Sequence, residues 1–200
     1  SPSWNEPTRR VIDERLALDP DRHGFFDDAA WATLRAVCER IVPQPPDRAK
    51  PVPIAAMVDK KMAKGALDGF RDARMPPQGE AWRRALAAFE ADAQALHRCA
   101  FHAASTAQQD ALLKAAQEGY ASNPAWGDMP PKLFFANRLL PDILSAYYAH
   151  PTAWNEIGFG GPASPRGYVR MDYDRRDPWE AAEAYPGREG EALRENRRVG

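Results

Sequence analysis

The sequence predicts an all-α protein: a bundle of about five helices with an extended N-terminal arm and a long irregular C-terminal tail. Three observations predict it. Apolar residues recur at steps of three and four through residues 25–150, no stretch alternates apolar and polar with period two between hairpin turns, and clusters of Pro or Gly punctuate the periodic runs. On this pattern residues 1–24 are the arm, 25–150 the helical bundle domain, and 151–200 a Pro-, Gly- and Arg-rich tail suited to binding a partner.

The arm carries Pro2, Pro7 and Pro20 and only a short apolar beat at Val11, Ile12, Leu16 and Leu18, which predicts one or two helical turns. Its Trp4 gains nothing by staying in water. The bundle opens with FFDDAAWATLRAVCERIVP, where Asp27 or Asp28 caps a helix that places Trp31, Leu34, Cys38 and Ile41 on one face and stops at Pro43. Pro53 suits the first position of a second helix with Ile54, Met57, Val58 and Met62 inward, ending at Gly65. After a long loop, a third helix runs from about Glu80 to Phe101 with Trp82, Leu86, Phe89, Ala93, Leu96 and Ala100 in one stripe. Ser105 with Gln108 resembles a capping box for a fourth, which buries Leu112, Leu113 and Ala116 and ends at Gly119. The fifth, KLFFANRLLPDILSAYYAH, turns Phe134, Phe135, Leu139, Ile143, Leu144 and Tyr147 inward with a kink or break at Pro141. In the tail, only Trp179 to Ala184 looks able to coil.

Composition narrows the partners. A formal net charge of -1 gives the chain as a whole no electrostatic footprint for nucleic acid or an anionic membrane surface. No apolar run approaches the length of a membrane span, so no direct membrane span is expected. The chain opens at Ser1, which suggests removal of something upstream, and the charges after Arg9-Arg10 stand where a twin-arginine signal needs an apolar region. Two alternatives stand for Cys38 and Cys99: a pair of core thiols, or one disulfide between two helices, which would imply an oxidising compartment.

Reactive constellations are missing from the pattern. GFGGP offers two glycines of a dinucleotide fingerprint without the strand and helix that such a turn requires. His23 and His150 stand apart, while His97 and His102 lie five apart, about 140° from each other on a helix and off a shared metal face. Asp27-Asp28 is explained by capping, and Asp172 with Asp174 lies in a charge-balanced tail. No catalytic, cofactor-binding or metal residue is therefore assigned, and an independent enzyme built around Glu90, His97 and His102 is the rival reading. A third reading has the aromatic tail bind its own copies.

What stands out is surface chemistry in WNEIGFGGPASPRGYVRMDY. Trp154, Ile157, Phe159, Tyr168 and Tyr173 supply rigid apolar area, Pro162 and Pro165 stiffen the path, and Arg166 and Arg170 stand between, with Trp179 beyond. Tyr, Trp and Arg dominate protein interface hot spots, so these residues are the candidate partner-binding set. Two arrangements stand beside full exposure: the loop folds back onto its own bundle, or it is mixed, with Trp154 and Ile157 inward and Phe159 to Tyr168 outward.

The chain resembles the gluconate 2-dehydrogenase subunit 3 family, the small accessory subunits of FAD-dependent sugar and polyol dehydrogenases of the glucose-methanol-choline oxidoreductase type. The resemblance rests on FFDDAAWATLRAVCERIVPQ, the PVPIAAMVDKKM helix, KLFF at 132–135 and AHPTAWNEIGFGGPASPRGY at 149–168, and covers about residues 25–170. It implies a non-catalytic chain with no cofactor of its own, whose partner is an FAD-containing large subunit, with a cytochrome c subunit as a possible third member. It also implies a role in the large subunit's maturation or export, and a periplasmic complex, which a Cys38–Cys99 disulfide would support. Many members carry a twin-arginine signal, and the residues here show none.

Overall fold

The computed structural model describes residues 2–65, 69, 71–159, 177 and 181–198. Among them every regular element is helical, as the periodicity predicts. The chain divides into two compact units, Leu18–Ala149 and the pair of termini, Ser1–Ala17 with His150–Gly200. The sequence pattern divides the chain at residues 24 and 150 and separates arm from tail, whereas these two units place both termini together.

The larger unit begins with α2 (Asp28–Ile41), capped by Asp27, whose carboxylate accepts from the Ala30 amide at 2.8 Å. Helix α3 (Ile54–Ala63) follows with Pro53 at its boundary, and α4 (Gln78–His97) is the longest. The stripe on α4 ends at Ala93. Arg98 turns left-handed at φ 57°, the helix stops, and Leu96, expected inward, is 67% exposed. Phe101 fills the core instead, swung in by a short 3-10 turn to lie 5.7 Å from Phe89.

Helix α5 (Thr106–Glu118) has the full capping box, Ser105 and Gln108 each bonding the other's backbone amide, and Gly119 ends it at φ 88°. The fifth predicted helix is continuous but not uniform. An α turn, α6 (Pro131–Phe134), passes through a π turn at Phe135–Leu139 into α7 (Leu140–Ala149). Pro141 has no N–H for the carbonyl four residues earlier, Asn137, and the disturbance is absorbed upstream as a widened turn rather than a break.

Aromatic rings on α4 make the core. Trp82 meets Phe134 edge-on at 5.2 Å, and Phe89 meets Trp126, from the loop before α6, edge-on at 5.3 Å. At the start of α4 the Phe25 ring lies so close to Gly79 that a Cβ there would stand 2.6 Å from it. Only glycine fits.

Two buried carboxylates tie the helices together. Asp59 of α3 accepts three backbone amides, from Gly24, Phe25 and Phe26, each at 3.0 Å, and so fixes the chain entering α2. Asp142 of α7, 3% exposed, accepts from Lys61 of α3 at 2.8 Å and from Trp82 Nε1 of α4 at 2.7 Å. Gln78 Nε2 donates to the same carboxylate at 3.0 Å. Replacing Asp142 by Ala strips a buried indole, a buried amide and an ammonium of this acceptor. Asp142→Ala is therefore expected to cost about 3–5 kcal/mol, read from the denaturation midpoint, with Asp142→Asn losing less.

Candidate partner-binding site

The smaller unit holds α1 (Glu6–Leu16), α8 (Pro151–Glu156) and α9 (Glu189–Asn196). Helix α1 runs three turns, longer than the one or two expected, with Asn5 accepting from the Thr8 amide at its start. Helices α8 and α9 lie where the sequence suggested irregular chain. Pro151 is the reason for the first difference: it reads as a breaker but stands at the first helical position, where its missing N–H is no loss.

The end of α8 explains much of the WNEIGFG motif. Gly158 takes φ +67°, and the Phe159 amide donates back to the Trp154 carbonyl at 2.9 Å. The two rings meet edge-on, centroids 5.4 Å apart at 85°. A left-handed glycine, a bond spanning five residues and an apolar contact between the same two residues are together the 6→1 arm of a Schellman closure. Gly158, the first of the two fingerprint glycines, is thus a helix stop.

This closure sorts the side chains. Trp154 is 7% exposed, whereas Ile157 is 56% and Phe159 46% exposed. Trp154 is inward and Phe159 outward as expected; Ile157, expected inward, faces water because the helix ends beneath it. Pro162, Pro165, Arg166, Tyr168, Arg170, Tyr173 and Trp179 lie outside the described residues.

Polar groups that the sequence reading passed over hold the unit together. Asn196, 1% exposed, uses its side-chain amide to donate to the Pro2 carbonyl at 2.8 Å and the Ala182 carbonyl at 3.0 Å, and accepts from the Ala182 amide. Ser3 Oγ accepts from the Ala184 amide at 3.0 Å. His150 caps α8 by accepting from the Thr152 amide at 3.2 Å. For His150 a signal was available, a polar side chain directly before Pro at a helix start; for Asn196 there was none.

Glu90 and His97, two of the groups weighed for chemistry, have structural work. Glu90 accepts from the Phe101 amide at 2.9 Å, fixing the turn after α4, and Gln108 donates to His97 Nδ1 at 3.2 Å. His102 is exposed. His23 stacks on Trp31 at 4.7 Å, and its bond to Asp28 raises its pKa. Asp92, half-buried beneath Trp126, has a pKa raised by desolvation. No trio of His, Cys, Asp or Glu among the described residues could hold a metal ion, and no helix there is long and apolar enough to cross a membrane. Cys38 and Cys99 are both free thiols, so the disulfide alternative is not formed; burial pushes the Cys38 thiol far up. A cleft of about 430 Å³ lies over Cys38, walled by the proline-rich loop that includes Pro43, Pro46 and Pro51.

Residues 28–161 match the family described as Gluconate 2-dehydrogenase subunit 3. The chain belongs to this family. No curated protein and no solved structure matches it. The family match takes in α2 through α8 and the whole Schellman closure, including Ile157 and Phe159, and leaves α1 and α9 outside. The exposed pair is therefore part of the family region. Because Gly158 has open space around it, the cost of a side chain there is conformational alone: Gly158→Ala is expected to lower stability by about 1 kcal/mol, seen in the Trp fluorescence unfolding curve.

Proposed function

We propose that this chain is the non-catalytic small subunit of a heteromeric FAD-dependent sugar or polyol dehydrogenase of the gluconate 2-dehydrogenase kind. It binds and stabilises the flavoprotein large subunit and assists its maturation or export. FAD resides in that partner and not in this chain. A cytochrome c subunit is the natural third member, and the assembly works in the periplasm.

The observation that carries the proposal is the family membership of a region that ends in a rigid cap holding two large apolar side chains in water. Fully burying a side chain of this kind is worth about 1.5–3 kcal/mol, and the Schellman closure means that little freedom is lost when a partner covers it. Support comes also from Glu90 and His97, whose hydrogen bonds serve turns and caps. In this reading Trp154 sets the cap while Ile157 and Phe159 make the contact. Pro162, Pro165, Arg166, Tyr168, Arg170, Tyr173 and Trp179 follow in the sequence as the further candidates for the same contact.

Ile157→Arg tests the contact without disturbing the core. Expressed in the native host with a tag, the variant is expected to keep the stability of the parent to within about 0.5 kcal/mol and to recover the large subunit at least about tenfold less well. Undiminished recovery of the large subunit by this variant would remove Ile157 and the cap from the interface.

A further inference from the structure

We propose that His150 is an acid-release clasp: at neutral pH its imidazole ties the end of α1 to the start of α8, and protonation unfastens the two. The geometry makes the ring do two jobs at once. Nδ1 accepts from the Thr152 amide at 3.2 Å, and Nε2 lies 3.2 Å from the Arg15 carbonyl. An amide can only donate and a carbonyl can only accept, so Nδ1 must be bare and Nε2 must carry the hydrogen. One neutral tautomer satisfies both.

Protonation removes that match. A hydrogen on Nδ1 points at the Thr152 N–H, and donor faces donor. Pro151 has no N–H of its own, so the amide that loses its acceptor is the first one α8 possesses. The ring is 5% exposed, and the resulting charge has little water to stabilise it.

Among the described residues of α1 and α8, no acid is placed to compensate the imidazolium. On α1 the half-buried and buried face is Thr8, Arg9, Ile12 and Arg15, while the acids Glu6, Asp13 and Glu14 are all exposed. Arg9 is held by the Trp4 and Pro2 carbonyls. Arg15 repels a second positive charge. On α8 the one ionisable group is Glu156, at the opposite end and about 9 Å along the axis. Burial first, and the Arg15 charge with it, lower the pKa of His150 below 6.5, against the opposing pull of the Arg15 carbonyl.

The sign of the linkage follows. The opened form binds the proton more readily than the clasped form, so the clasp is fully stable above the ordinary histidine pKa. It weakens as pH falls through that value, by up to tenfold per pH unit, until the lowered pKa is passed.

Amide hydrogen exchange on the full chain tests this, with rates corrected for the intrinsic pH dependence of exchange. Between about pH 7.5 and about pH 5, the span in which histidine changes charge, α1 is expected to lose protection several-fold while α2 to α5 keep theirs. His150→Asn retains a side-chain acceptor for the Thr152 amide and does not titrate, so its α1 protection should not change with pH. Equal α1 protection of the parent at both pH values, or the same loss in His150→Asn, would overturn the clasp. Ring nitrogen shifts of the parent give a second reading that needs no variant. A hydrogen on Nε2 and a midpoint below 6.5 support the clasp; a hydrogen on Nδ1, or a midpoint at or above that value, contradicts it.

Discussion

A carboxylate removed from water must find donors equal to the hydration it loses, and Asp142 finds them on two other helices. Lys61 arrives from α3, Gln78 and Trp82 from the first turns of α4, and the acid itself from α7. The indole matters most for geometry. Its N–H has one direction, and its ring must at the same time meet Phe134 edge-on, so the rotation of α4 about its axis is set from both ends of one side chain. Asp59 does for α2 what Asp142 does for α4, since the three amides it receives precede the cap of α2 directly. Apolar burial drives the larger unit together, and the two acids select one arrangement among those a greasy stripe would allow.

The smaller unit is built on different terms. Its helices α8 and α9 are short, and few large apolar side chains are buried there: Ile12 and Trp154 among the described residues, with alanines around them. Side-chain-to-backbone hydrogen bonds take the place of a core. Asn196 joins α9 to the segment near Ala182 and to Pro2, and His150 joins α8 to α1. Such bonds are individually worth about 1 kcal/mol, so the unit is the part of the chain where a partner or a proton has most leverage. That is also where the exposed Ile157 and Phe159 stand.

Periodicity and punctuation made the larger unit legible. Asp27, the Ser105–Gln108 box and Gly119 act within one turn of chain, and their residue types announce them. Arg98 does not announce itself: a non-glycine residue took the left-handed position, so the stripe was read one turn too far and Leu96 with it. Asp59 and Asp142 were invisible because a charged residue inside a helix reads as a solvated one until its partners, tens of residues away, are known. The candidate site was half legible. Trp154 and Phe159 were singled out for their ring area, while the Schellman closure that separates their roles, one inward and one outward, was not seen behind the glycines. Helix α9 was missed because EGEALREN is dominated by charge, and the single buried amide that anchors it has no periodic signature.

The central proposal is that the chain completes a flavoprotein and does no chemistry itself. Tagged chain recovered under mild conditions from its native host, with an absorption spectrum of the eluate, tests that claim most directly. The account predicts a larger second chain that carries a flavin spectrum, together with none in this chain once the two are separated. A single colourless chain, or a flavin that stays with this chain after separation, would contradict it.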